Sequence, residues 1–135
     1  MIEYIKKVFE EKEKLGYDKV YIAVDIHNTI FKPSWDKEET YEYLGKAKEV
    51  LQVLTKRTDV MLIIWSASYP SKILKYKEKF EEDGIVFDYT NCNLDVKSGK
   101  ISCFEIKPYY DILIDDKAGF DWNEWEEILK WIVNL

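Results

Sequence analysis

The sequence predicts an α/β fold with a mainly parallel central sheet, and three features predict it. Apolar runs at VYIAVDIHNTI (20–30), VMLIIWSAS (60–68), IVFDY (85–89) and DILI (111–114) alternate with segments of helical period, an order that implies right-handed crossovers between parallel strands. The second run is almost continuously apolar, as expected for a parallel strand covered on both faces. Three of the runs end in polar residues, at Asp25, at Ser66 and at Asp115–Asp116.

Each element follows from its own pattern. Ile2, Ile5, Val8 and Phe9 recur at helical spacing among Lys and Glu, and Gly16 is placed as a C-terminal stop, so residues 2–15 read as an amphipathic helix. Its stripe suits packing at the sheet edge, the commoner use of such a stripe, with a partner surface as the alternative. Residues 20–25 read as a buried strand whose polar sequel, His-Asn-Thr, opens into a loop. FKPSWDKEET carries Pro33 and many polar residues and reads as an irregular loop or small flap. Leu44, Ala47, Leu51 and Leu54 repeat at the helical period over residues 41–57.

Pro70 and Ser71 lead into a further helix with Ile73, Leu74, Tyr76 and Phe80 apolar, ending at Asp83-Gly84. Residues 85–89 and 111–114 complete the strands, and DVKSGKIS between them suggests a hairpin turning at Ser98-Gly99. That turn would place Cys103 opposite Leu94 and not Cys92, leaving two free thiols. The last helix begins near Asp121, with Trp122, Trp125, Ile128, Leu129 and Ile132 on one side and Asp121 and Glu124 spaced as a capping box.

The 135 residues make one domain, 1–135, with residues 1–16 as an N-terminal helix extension. The net charge of −6 removes any overall attraction to nucleic acid or anionic lipid. Two cysteines without a CxxC pair exclude a disulfide scaffold and give no zinc site. No stretch is apolar enough for a signal peptide or a membrane span, so a cytoplasmic protein without a membrane partner is expected.

In a parallel sheet all carboxyl ends point the same way, so Asp25, Ser66, Asp115 and Asp116 are expected on one side, where ligands of such sheets bind. An Asp followed by Asn and Thr at a strand end also reads as a turn, because short polar side chains bond their own backbone there. The convergence favours a site: carboxylates brought together repel unless a cation lies among them. Oxygen ligands suit Mg2+, which pairs with phosphate substrates. Asp25, Asp115 and Asp116 are then its ligands. Ser66 offers a hydrogen bond and Lys107 a point charge to phosphate oxygens, with Lys72 an alternative lysine.

The order and content of these motifs resemble the haloacid dehalogenase superfamily of phosphohydrolases. Asp25, Thr29 and Ile30 match its Asp-x-Asp-x-Thr motif, Ser66 its second motif, Lys107 its lysine, and DDKAGFD its acidic fourth motif, with Asp121 read as a helix cap. The resemblance covers about residues 19–121. It implies a Rossmann-like three-layer sandwich with minimal or no cap, a Mg2+ cofactor, and an aspartyl-phosphate formed on Asp25, with Thr29, Ser66 and Lys107 binding substrate.

His27 stands where the family has its second Asp. In the family that residue protonates the leaving group and binds the metal through its backbone carbonyl, a role any side chain permits. Imidazole is the commonest general acid or base, so His27 is the candidate for proton transfer as well as a metal ligand. A catalytically weak binding or regulatory module is the alternative. A capless site also admits large substrates, a nucleic-acid end among them, or a lid borrowed from a second copy in a homo-oligomer.

Overall fold

The computed structural model describes residues 1–34 and 41–135, so most of the expected loop, residues 35–40, lies outside the described residues. In chain order the elements are α1 (Ile2–Leu15), β1 (Val20–Asp25), α2 (Ala47–Lys56), β2 (Val60–Trp65), α3 (Pro70–Glu82), β3 (Tyr89–Thr90), β4 (Ile112–Ile114) and α4 (Glu124–Ile132). The four strands form an all-parallel sheet in the order β3-β2-β1-β4, flanked by helices, consistent with the Rossmann-like three-layer arrangement.

Strand residues alternate between two cores, as the period of two requires. Val20, Ile22, Val24, Leu62, Ile64, Ile112 and Ile114 face a large core shared with all four helices. Ala23, Met61 and Ile63 face the other way, under Tyr21, Trp65, Tyr89, Tyr110 and Leu113. This second face is largely aromatic, with Tyr110 contributed by the long return between β3 and β4.

The first helix ends as expected, with Gly16 at φ 73° donating its N–H to the Lys12 carbonyl. It packs against α4 and the central strand β1, while Tyr4 donates to the Asp111 carbonyl beside the edge strand β4. Lys12 on its inner face is buried and bridges Asp59 at 3.0 Å and Glu13 at 2.9 Å.

Several boundaries differ from the sequence pattern. Helix α2 starts at Ala47 and not near 41, because Tyr41 and Gly45 adopt φ of 53° and 51°. Gly45 lies against Trp122, where a Cβ would sit 3.1 Å from the Trp122 carbonyl oxygen. Trp122, expected on the core side of α4, covers this turn and stays 37% exposed. Leu74 is exposed, while its neighbours Ile73, Tyr76 and Phe80 are buried.

Strand β3 is only Tyr89–Thr90, although Ile85 and Phe87 are buried as a strand would have them. The Ile85 N–H closes α3 on the Phe80 carbonyl at 2.8 Å and the Val86 N–H goes to Thr55 Oγ1 at 3.1 Å, so neither donor is available to β2. The expected hairpin around Ser98-Gly99 is not formed among the described residues. A single turn, Gly99 N–H to the Ser102 carbonyl, stands in its place, and the Phe104 N–H is taken by Ser98 Oγ. Cys92 and Cys103 are free thiols, as expected. No helix among the described residues is long and apolar enough to cross a membrane.

Candidate functional site

From β1 the chain moves to β2 and β3 on one side, then returns to place β4 on the other side of β1. Such a reversal opens a crevice at the carboxyl ends of the strands. The register decides what meets there. Asp25 is the partner of Trp65, and Val24 the partner of Ile114, so Asp115 lies one step on, level with Asp25, and Ser66 one step past Trp65. The cavity between them, about 670 Å³, is lined by Asp25, His27, Ser66, Asp115, Asp116 and Lys117 among others.

Thr29 ties the two strand ends together. It is fully buried, its hydroxyl donates to Asp25 Oδ2 at 3.0 Å, and the same oxygen accepts the Asp116 backbone N–H at 3.1 Å. The Thr29 carbonyl in turn accepts the indole N–H of the buried Trp125 at 2.8 Å. The loop that brings Thr29 back is tight: the N–H groups of Thr29, Ile30 and Phe31 all point at the Ile26 carbonyl, and Asn28 takes φ 58°, a conformation its short polar side chain tolerates. From there Asn28 Nδ2 donates to Asp116 Oδ2 at 3.0 Å.

Asp25, Asp115 and Asp116 each offer a carboxylate oxygen within 4.8 Å of the others. Burial, with the negative charges of Asp115 and Asp116 adding to it and the Thr29 hydroxyl opposing, pushes the Asp25 carboxyl up to about 7. Asp115 is raised, by burial first and then by Asp116 beside it. Asp116 lies below the ordinary carboxylate range: burial pushes it up, but the Asn28 amide and the protons of Asp25 and Asp115 outweigh that. Three partly buried carboxylates at this spacing carry more negative charge than the protein compensates, and hard oxygen donors in such a set fit Mg2+.

Ser66 stands at the opposite rim. Asn91, with φ 53°, extends the β2 ladder through its side chain, accepting the Ser66 N–H at 2.9 Å and donating to the Ser66 carbonyl at 2.6 Å. The Ser66 hydroxyl bonds Ser68 Oγ at 3.0 Å and accepts the Ser68 N–H at 3.1 Å. His27 lines the crevice with its Nε2 2.8 Å from the hydroxyl of Tyr76, a fully buried residue of α3 whose ring it meets edge-on.

Lys107 is not brought to this crevice. It lines a separate cavity formed by residues 102–110 of the return to β4, and Lys72 is exposed on the first turn of α3. The lysine at the rim is Lys117, in a 3-10 turn over Asp116–Ala118. Asp121 stays out of the carboxylate cluster: its N–H is capped by Glu124 at 2.8 Å, half of the expected capping box, while its own carboxylate takes the Asn123 N–H. Asn28, Asn91 and Lys117 were not singled out by sequence. The positive φ of the two asparagines is a tertiary fact, although an Asn directly after a strand end is a weak signal for it.

A further cavity of about 510 Å³ lies by the amino end of β2, lined by Phe9, Arg57, Asp59 and Trp131. There Arg57 holds Asp59 through two bonds of 2.8 Å, and the convergent carboxylates belong to the carboxyl end.

No family model and no curated protein matches the sequence. Among solved structures the fold is similar to that of a conserved protein coded by a locus of Bacteroides thetaiotaomicron, with a TM-score of 0.66 and 24% identity, over 86% of this chain and 91% of that one. At that identity the likeness speaks for the fold.

Proposed function

We propose that the protein is a Mg2+-dependent phosphohydrolase that acts on phosphomonoesters through an aspartyl-phosphate on Asp25. One observation carries the reading: three carboxylates within 4.8 Å of one another at adjacent parallel strand ends, facing Ser66 across an open crevice. The resemblance of the motifs around Asp25, Ser66 and Asp115–Asp116 to haloacid dehalogenase phosphohydrolases supports it.

Asp25, Asp115 and Asp116, with the His27 backbone carbonyl, are the proposed ligands. The bound cation supplies charge neutralisation for the phosphoryl oxygens. A carboxylate oxygen of Asp25 attacks phosphorus while the bond to the leaving oxygen breaks, and that oxygen departs with the electron pair and takes up a proton. Water then attacks phosphorus, releasing phosphate and restoring the Asp25 carboxylate. Thr29 holds Asp25 in place from below. Ser66 presents its hydroxyl to a phosphate oxygen, and Lys117, at the rim, takes the place of Lys107, which lines another cavity, as the candidate phosphate lysine.

Hydrolysis of a panel of phosphomonoesters in Mg2+ tests this reading. Activity is expected to vanish in Asp25→Asn, and undiminished activity in that variant would remove Asp25 as nucleophile.

The contact between His27 Nε2 and the Tyr76 hydroxyl favours one second reading, a metal-binding module with little turnover, because that ring nitrogen is already engaged. His27→Asp separates the two. Hydrolysis that appears only in the variant supports the module, whereas loss of existing hydrolysis assigns the proton to His27.

A further inference from the structure

Trp65 is the register partner of Asp25 on the adjacent strand, so the two side chains leave the same face of the sheet side by side. Neighbouring strands lie about 4.8 Å apart, which puts the indole next to the proposed nucleophile. The ring is half-buried, lines the crevice, and is held edge-on by Tyr110 at 5.5 Å. It belongs to the sheet face on which β3 returns to β4.

Several of the polar side chains around Asp25 are bonded within the protein. The Asn91 amide is bonded on both sides to the Ser66 backbone, Asn28 is bonded to Asp116, and the Ser66 and Ser68 hydroxyls are bonded to each other. Trp65 and Ala67 are the apolar lining left for whatever is esterified to the phosphate. A flat apolar surface beside a charged centre discriminates by stacking, which any planar ring satisfies and a polyhydroxyl chain does not.

We infer that Trp65 is a specificity-determining residue of this crevice and that the substrate class is a phosphomonoester whose leaving group carries a planar ring. The inference rests on the proposed phosphohydrolase reading only in that the phosphate sits at Asp25. Nucleoside 5′-monophosphates have the same primary ester as ribose 5-phosphate and differ from it by the ring, so the pair isolates the stacking contribution.

The test is calorimetric binding of adenosine 5′-monophosphate and of ribose 5-phosphate to the full chain carrying Asp25→Asn, in Mg2+, so that neither probe is turned over. The nucleotide is expected to bind about tenfold more tightly, a preference that Trp65→Leu erases and Trp65→Phe largely keeps. Should the leucine variant fail to fold, the phenylalanine variant and Trp65→Met, compared by melting, carry the same comparison. Equal affinities, no binding of either probe, or a preference indifferent to Trp65 overturns the inference. Hydrolysis of an aryl phosphate by the unmodified protein decides the phosphohydrolase reading separately, so the two can fail independently.

Discussion

The Thr29 hydroxyl donates to Asp25 four residues before it and accepts from the Asp116 backbone eighty-seven residues after it, at 3.0 and 3.1 Å. One buried oxygen thus fixes the spacing between the ends of β1 and β4, and with it the geometry of the carboxylate cluster. Thr29→Val keeps the shape and removes the oxygen, leaving the Asp116 N–H without its acceptor. Leaving such a buried group unsatisfied costs about 1–3 kcal/mol. Urea unfolding is expected to show a loss of that size, and an unchanged midpoint would mean the bridge contributes nothing.

Repulsion within the cluster makes a prediction for metal binding. Burial and the neighbouring charges raise Asp25 and Asp115, so their carboxylates destabilise the metal-free protein, and a divalent cation reverses this. At Mg2+ about 100-fold above its dissociation constant the stabilisation is ~2.7 kcal/mol, roughly 10 °C in melting temperature. Asp115→Asn is expected to raise the metal-free melting temperature and Asp116→Asn, which removes a carboxylate held below the ordinary range, to lower it, while both abolish the Mg2+ shift. A shift that survives both substitutions places the cation elsewhere.

Trp125 reaches from α4 to the Thr29 carbonyl with its indole N–H and is fully buried. Trp125→Phe removes this donor and opens a cavity, at an expected cost of about 2–4 kcal/mol by the usual magnitudes of both effects. Because the lost bond holds the Thr29 loop, Mg2+ affinity should fall as well. Retained affinity in a folded variant would show that Thr29 is positioned by the tight loop alone.

The pH dependence of stability has one isolable part in Asp59. The Arg57 guanidinium first, and then Lys12, hold this carboxyl below the ordinary carboxylate range. A depressed value in the folded state means that the unfolded chain binds the proton first as pH falls. The contribution is therefore complete above about pH 4 and is lost as pH drops through the folded value. Asp59→Asn should lower stability at pH 7 and flatten the dependence below pH 4, read from urea midpoints across pH 3 to 7. Parallel acid limbs in the two proteins would show that Asp59 is not stabilised by its partners.

What could be read in advance follows from where the information lies. The hydrophobic period of two or of 3.6 is local, and it was enough for α1, β1, β2, α3 and the alternation that implies a parallel sheet. The polar strand ends were equally local, and parallel topology alone brought Asp25, Ser66, Asp115 and Asp116 together. Thr29 could be named through the resemblance of residues 25–30 to the phosphohydrolase motif, and its bridge to Asp116 could not.

The sequence by itself therefore determined the layer architecture and the acidic end of the crevice, since both depend on residue type and spacing within single segments. Only the tertiary structure decided the rest. Ile85 and Val86 have strand-like side chains, yet their N–H groups are claimed by Phe80 and Thr55, so β3 forms later. Ser98-Gly99 has the composition of a hairpin, but the Phe104 N–H is taken by Ser98 Oγ and the Gly99 N–H by the Ser102 carbonyl, and no ladder closes among the described residues. Lys107 precedes β4 at a suitable distance in sequence, yet the path of the return segment turns it to another cavity, while Lys117 reaches the rim because a 3-10 turn follows β4 at once. Each backbone donor had more than one acceptor within reach, near in sequence for Ile85 and Phe104 and thirty-one residues away for Val86, and the hydrophobic pattern does not say which acceptor wins.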